Sequence, residues 1–249
     1  EIEACLVGSE MCIRDSVERI VTPYTEPEVE RRPLPSALRM TLNSMLPPWK
    51  IDPARFTFGL LPEGKRSGAS IATRIDELLP NGWPKRPTWI VAVRTNDGRR
   101  IVFGRDDVAG TVGQATQASA AIPAFYTPVR IGDRSYVDGA LHSSTNADLV
   151  ASLGFDLVMI SSVKTATPDA RSWRSDPERS WFSNKLDNEL AEIRSTGTPA
   201  IVIEPDDTQL ELLSSGERAD ACAAGRLAAE RVLSTSEGAG LRSIVEPAS

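Results

Sequence analysis

The chain has 249 residues, of which 41% are hydrophobic and 25% are charged. This composition is typical of a globular protein and excludes collagen-like repeats and wholesale disorder, and no apolar run approaches the roughly 20 residues of a membrane-spanning helix. The 28 basic and 34 acidic residues give a net charge of -6. Because affinity for nucleic acid comes largely from neutralising phosphates, we expect no nucleic-acid partner.

Cysteine and histidine are scarce in this sequence. The three cysteines are Cys5, Cys12 and Cys222, and the single histidine is His142. Their spacing fits neither a CxxC pair nor a zinc ligand set, so we expect no bound metal. Sparse cysteines favour a reducing compartment, which predicts a cytoplasmic location.

The first 16 residues have neither the periodicity of a helix or strand nor the basic start and apolar stretch of a secretory leader. Residues 5–16, CLVGSEMCIRDS, look like the conceptual translation of a sequencing adapter. We therefore expect residues 1–16 to be a non-native leader and residues 17–249 to form a single domain. A frayed native terminus is the alternative.

Prolines restrict residues 22–62 to short helices such as one at 36–46. Further along, apolar spacing and turn residues predict, in chain order, a helix at 70–79, a hairpin of strands 89–95 and 100–103, a small-residue helix at 108–121 capped by Asp106 or Asp107, a strand pair within 130–137, a helix at 146–153, a strand at 155–163, and then helix 186–194, strand 200–204 and helix 217–233. The strand at 155–163 is almost continuously apolar, which indicates cover on both faces. This alternation predicts an α/β fold, a three-layer α/β/α sandwich with a mainly parallel central sheet.

Two weaker patterns could also carry function. Residues 59–66, GLLPEGKR, nearly match a phosphate-binding loop, but Arg66 stands where the magnesium-binding hydroxyl belongs, so we interpret them as a surface loop. Residues 171–182 place Trp173, Trp181 and Phe182 among arginines, a mixture that suits a lipid interface. The alternative, which we favour, is that these aromatic rings pack back onto the core.

The most informative run extends from residue 118 to residue 148. It reads ASAAIPAFYTPVRIGDRSYVDGA followed by LHSSTNAD. The predicted strand pair within this run leads directly to Asp138, Gly139 and Ala140. The order of these pieces, a small-residue helix ending in ASxAIP, then FxPV, a strand, DG[GA] and an Asn-containing turn, resembles the patatin-like phospholipase family. The resemblance is best over residues 83–163.

The resemblance implies a lipid acyl hydrolase that uses a serine and an aspartate without a histidine. Asp138 matches the family's aspartate and would accept the proton of the serine, with Gly139 and Ala140 shaping the turn. A carboxylate in water is a weak base, so such a site should be partly desolvated, and Tyr136, Val137 and Leu141 supply apolar neighbours beside Ala140. We expect His142 to hydrogen-bond within a loop rather than to act as a base. No metal or organic cofactor is implied, and the expected partner is a lipid or another acyl ester, with peripheral contact to a membrane.

The sequence departs from the family pattern in one respect. The family's GxSxG nucleophile elbow and its glycine-rich oxyanion loop do not occur in these 249 residues. We therefore expect an amino-terminally truncated fragment that lacks the first strand or strands, holds no nucleophile and is inactive as written. The alternatives are a non-catalytic α/β module that binds a lipid or a partner, and an unrelated α/β domain with an accidental DGA.

Overall fold

The computed structural model of the chain describes residues 64–168, 176–206 and 218–235, together with a short strand at Cys5–Val7. The chain forms two compact units, Glu1–His142 and Ser143–Ser249. Whether residues 17–249 fold as one domain stays a prediction. The helix expected at residues 36–46 lies outside the described residues.

The described elements follow the predicted order, with several differences. A strand at Cys5–Val7 lies in residues expected to have no regular structure, the helix expected at 186–194 begins at Pro177, and a 3₁₀ turn at Ala147–Val150 replaces the helix expected at 146–153. In the first unit they are β1 (Cys5–Val7), α1 (Ala69–Leu78), β2 (Thr88–Arg94), β3 (Arg100–Phe103), α2 (Val112–Ser119), β4 (Val129–Ile131) and β5 (Arg134–Asp138), followed by a 3₁₀ turn at Gly139–Leu141. In the second unit they are a 3₁₀ turn at Ala147–Val150, β6 (Val158–Ser161), α3 (Pro177–Ser195), β7 (Ala200–Ile203) and α4 (Arg218–Ser234). The α/β class is therefore confirmed.

Strand β2 is the centre of the sheet in the first unit. Strand β3 pairs with one edge of β2, while β1 and then β5 pair with successive parts of its other edge. Only the β1–β2 pairing is parallel among the described strands of this sheet, and β2–β3, β2–β5 and β4–β5 are antiparallel. The predicted mainly parallel sheet is thus wrong for this part of the chain. Two of its pairs are hairpins, and strands joined by a tight turn must run antiparallel.

Helices α1 and α2 pack with one face of this sheet. Their buried residues form a single cluster with alternate residues of β2 and β3, including Ile90, Ala92 and Phe103. The small side chains of α2 allow α1 to approach closely, because a Cβ atom on Gly113 would lie 2.3 Å from the carbonyl oxygen of Ala72 in α1. On the opposite face of β2, Val93 packs with Val137 and Leu141.

Helix α2 begins later than expected. Its N-cap is Thr111, whose hydroxyl accepts from the Gln114 backbone N–H while the Gln114 side chain accepts from the Thr111 N–H. Asp106, one of the two predicted caps, instead accepts a hydrogen bond from the Val102 backbone N–H at 2.9 Å. The reciprocal capping box satisfies two helix-end donors at once, so it sets the boundary.

Strand β6 is shorter and more exposed than its sequence predicts. It spans Val158–Ser161 and pairs in parallel with β7, but buried and exposed residues alternate along it, and Met159 is 53% exposed. The expected cover on both faces is wrong here. An apolar run alone does not report how many layers lie beside a strand, whereas alternation of burial does.

Candidate active site at the end of strand β5

Asp138 is the last residue of β5 and the N-cap of the 3₁₀ turn that follows. Its backbone pairs with Ala92 of β2, and its N–H donates to the carbonyl of Ala121 at 3.1 Å. Its carboxylate Oδ1 accepts a hydrogen bond from the Ala140 backbone N–H at 2.8 Å. The sheet therefore fixes the backbone of this residue, and the turn fixes the orientation of its carboxylate.

Gly139 is required by a close approach rather than by an unusual backbone angle. A Cβ atom at this position would lie 2.4 Å from the carbonyl oxygen of Val91, well inside van der Waals contact. Gly139 is not among the residues of positive φ. Any larger residue would push the turn away from β2 and move the neighbouring carboxylate with it.

The surroundings of Asp138 are largely apolar. The residue is 7% exposed, and Tyr136, Val137 and Leu141 are each at most 3% exposed. Ala140 is half-buried. The structure therefore places Asp138, Gly139 and Ala140 together in a turn where Asp138 has little exposure to water.

His142 lies directly after the turn. Its side chain is half-buried, and its backbone N–H donates to the Gly139 carbonyl at 2.9 Å. This bond closes the 3₁₀ turn, so the main chain of His142 helps to hold the turn in place.

Sequence reasoning missed a buried carboxylate in the second unit. Glu189 of α3 is 7% exposed, and its Oε2 accepts hydrogen bonds from the Thr145 hydroxyl and, at 3.0 Å, from the Ala147 backbone N–H. The Ser143 hydroxyl accepts from the backbone N–H groups of Thr145 and Asn146. These bonds hold residues 143–147, the segment that follows the Asp138 turn along the chain.

Burial raises the pKa of Glu189 from its ordinary value, and the nearby Asp148 carboxylate adds to the rise. Hydrogen bonds from Ser143, Thr145 and Ala147 oppose it without cancelling it. A signal for this residue exists in the sequence, because Glu189 falls on the same helix face as the buried residues Leu186, Leu190 and Ile193. An acidic residue within an apolar stripe indicates a carboxylate that has buried hydrogen-bond donors.

The aromatic segment at residues 171–182 is described only in part, since Trp173 lies outside the described residues. Phe182 is buried at 7% exposure, and its ring packs edge-on against the half-buried Trp181 at 4.9 Å between centroids. The described aromatics therefore pack inward, in line with the favoured reading. No helix within the described ranges is long and apolar enough to cross a bilayer.

A metal site does not emerge from the described part of the chain. Within residues 64–168, 176–206 and 218–235, no group of three His, Cys, Asp or Glu side chains is arranged to hold a metal ion. The near match to a phosphate-binding loop is also built differently, since Arg66 pairs with Tyr126 in an isolated bridge and α1 begins only at Ala69. No helix N-terminus follows Gly64 directly, as a phosphate loop would require.

Comparison with known families agrees with the geometry. A family model described as Patatin-like phospholipase matches residues 4–151. The match covers more than half of the chain and contains the sheet of the first unit, helices α1 and α2, and the complete Asp138 turn. It begins within the expected leader, and the non-native origin of residues 5–16 stays a prediction. The resemblance seen in the sequence is confirmed, and the chain belongs to the patatin-like phospholipases, a family of lipid acyl hydrolases.

Proposed function

We propose that this chain carries the aspartate half of a lipid acyl hydrolase, with Asp138 as the proton acceptor of a serine–aspartate pair. One observation carries the proposal. Asp138 stands at the end of a strand where it is only 7% exposed, and the Ala140 N–H donates a hydrogen bond that orients its carboxylate. Membership of the patatin-like phospholipases supplies the substrate class, an acyl ester of a lipid.

In the proposed reaction a serine hydroxyl attacks the ester carbonyl while the Asp138 carboxylate takes its proton. The alcohol leaves with that proton, and an acyl-serine remains. Water then attacks the acyl-serine, Asp138 again takes the proton, and the fatty acid is released as the serine is reprotonated. Preorganised N–H donors would stabilise the negative charge on the carbonyl oxygen in both steps.

A polypeptide of the printed sequence lacks the serine of this reaction, because no GxSxG occurs in it. We therefore expect it to hydrolyse no p-nitrophenyl ester above the buffer rate and to take no label from a fluorophosphonate. Hydrolysis that Asp138→Asn abolishes would contradict this expectation, because it would show that another residue of the chain serves as nucleophile.

The three-layer arrangement of the whole domain is a further part of the proposal.

The role of Asp138 is tested in the protein encoded by the genomic reading frame that contains Val17, the first residue after the expected leader. If that frame adds a GxSxG segment, we expect esterase activity that Asp138→Asn lowers at least about a thousandfold, with KM nearly unchanged. Glu192→Asn, which alters an exposed carboxylate on α3, is the control and should retain activity. Full activity of the Asp138→Asn enzyme would rule out the proton-acceptor role.

A non-catalytic module that binds a lipid or a partner is the second candidate. The absence of a GxSxG from the printed residues is the observation that favours it. A genomic frame without that motif, combined with specific lipid binding, would support this candidate over the hydrolase.

A further inference from the structure

The turn at residues 122–126 presents large apolar side chains to solvent. Ile122 is 46% exposed and Phe125 is 44% exposed, although the adjoining Ala121 is buried at 2%. Arg66 is exposed, with its guanidinium carbon 4.2 Å from the centre of the Phe125 ring, and Lys65, its neighbour along the chain, is exposed as well. Apolar and cationic groups therefore share one small surface, which we call the apolar–basic turn (Lys65, Arg66, Ile122 and Phe125).

The backbone holds this surface in place. The Arg66 N–H donates to the Phe125 carbonyl at 3.2 Å, and the Thr127 N–H donates to the Arg66 carbonyl at 2.8 Å. A Cβ atom on Gly64 would lie 2.1 Å from the Phe125 carbonyl carbon, so the two segments are in tight contact. Ala124 adopts a left-handed φ of 66°, which is unfavourable for alanine and persists only where surrounding contacts enforce it. The backbone that carries the exposed Ile122 and Phe125 side chains is thus fixed by hydrogen bonds and close contacts.

The apolar–basic turn adjoins the candidate active site. Ala121, which immediately precedes Ile122, accepts a hydrogen bond from the Asp138 backbone N–H at 3.1 Å. A lipid gathered at Ile122 would therefore lie close to the turn that carries the proposed proton acceptor. Strain and exposed apolar groups often occur where a protein meets its ligand.

The charges of the apolar–basic turn indicate what binds to it. The chain as a whole is acidic, with a net charge of -6, yet this surface joins two cations to two large apolar side chains. That pairing suits a bilayer surface, where apolar side chains enter the acyl region and Lys or Arg meets anionic headgroups. We propose that the apolar–basic turn is the contact through which this protein binds an anionic lipid surface. The proposal rests on the proposed function only for the choice of a lipid as substrate class.

The test is co-sedimentation of the 249-residue chain with phosphatidylcholine vesicles, with and without phosphatidylglycerol. We expect binding to the anionic vesicles and a loss of more than about tenfold for the double variant Ile122→Gln/Phe125→Gln. The control Leu153→Gln/Met159→Gln removes side chains that are 41% and 53% exposed elsewhere and should bind as the unchanged chain does. Far-UV circular dichroism and urea midpoints establish that each variant is folded.

A second pair of variants tests the charge contribution without touching the apolar side chains. Lys65→Gln/Arg66→Gln should weaken binding to anionic vesicles by roughly fivefold for each cation and leave binding to neutral vesicles unchanged. Raising the salt to about 1 M should reproduce this loss in the unchanged chain.

The proposal is overturned if the unchanged chain does not sediment with anionic vesicles, or if the control pair loses as much binding as Ile122→Gln/Phe125→Gln. Self-association through the same turn, seen as a concentration-dependent mass that the double variant abolishes while vesicle binding stays intact, would also overturn it. No ester is cleaved in this assay. A negative result in the vesicle assay therefore does not affect the proposed role of Asp138. Likewise, full esterase activity of the Asp138→Asn enzyme would not affect the proposed role of the apolar–basic turn.

Discussion

Replacing Glu189 with glutamine should change how the stability of the protein depends on pH. Burial raises the pKa of this carboxylate above its ordinary value of 4.5, which means that the native state binds the proton more tightly than the unfolded chain does. The stabilising contribution of the protonated group is complete below the ordinary pKa and is lost as the pH rises through the raised pKa. This sign is opposite to that of a salt-bridged carboxylate.

The size of the effect follows from the structure. A single titrating group changes the free energy of unfolding by at most about 1.4 kcal/mol per pH unit within its window. Glutamine keeps an acceptor oxygen for the Thr145 hydroxyl and the Ala147 N–H. Glu189→Gln should therefore lower the free energy of unfolding little near pH 4, and the variant should become more stable relative to the parent as the pH rises. Alanine leaves both donors unsatisfied and opens a void, and we expect it to cost about 2–4 kcal/mol.

The assay is urea unfolding followed by circular dichroism at intervals between about pH 4 and pH 8, a range chosen to span the ordinary and raised pKa values of a glutamate. The difference in unfolding free energy between parent and Glu189→Gln isolates this group from the other carboxylates. Glu192→Gln, on the exposed side of the same helix, gives the background of losing one surface carboxylate. If the parent instead becomes more stable relative to Glu189→Gln as the pH rises, the hydrogen bonds from Ser143, Thr145 and Ala147 outweigh burial and the reasoning fails.

Three further changes test local packing and helix capping. Gly139→Ala should destabilise the chain by at least about 2 kcal/mol in urea unfolding, because its Cβ would meet the Val91 carbonyl oxygen at 2.4 Å; an unchanged midpoint would show that the turn relaxes freely. Gly225→Ala in α4, where nothing lies within 4 Å of the added Cβ, should stabilise by about 0.5–1 kcal/mol and serves as the matched control. Thr111→Ala removes one half of the capping box with Gln114 and should lower stability by about 1 kcal/mol, whereas Thr111→Asn should restore most of it; equal losses for both would point to another role for Thr111.

Local signals in the sequence located most of the elements that the structure describes between residues 64 and 142. The hairpins β2–β3 and β4–β5 were predicted because each has a short turn with a glycine, and Gly98 and Gly132 both adopt positive φ there. The Asp138 turn was found through the ordered motif around it, since an Asp-Gly pair alone is an ordinary turn. What sequence reasoning identified there was a set of neighbours along the chain.

The wrong start of α2 concerns a local capping box, whereas the errors in strand pairing and burial depend on partners distant in sequence. The antiparallel pairing of β5 with β2 joins residues that are far apart in the chain, and no local residue indicates its direction. The exposure of Met159 depends on what covers β6, which an apolar run does not reveal. Glu189 finds its donors about 40 residues earlier, and only its place on the apolar face of α3 hinted at burial.

The register of β5 against β2 has an evolutionary consequence. Asp138 sits opposite Ala92 and Val137 opposite Val93, and successive side chains of a strand point to opposite faces. Inserting or deleting one residue in the turn at Gly132, if β5 slid by one position to absorb it, would move Asp138 to the other face of the sheet and put Val137 or Gly139 in its place. Drift in loop length should therefore be tolerated after β3 but purged between β4 and β5, so genuine orthologues should share one spacing across that hairpin.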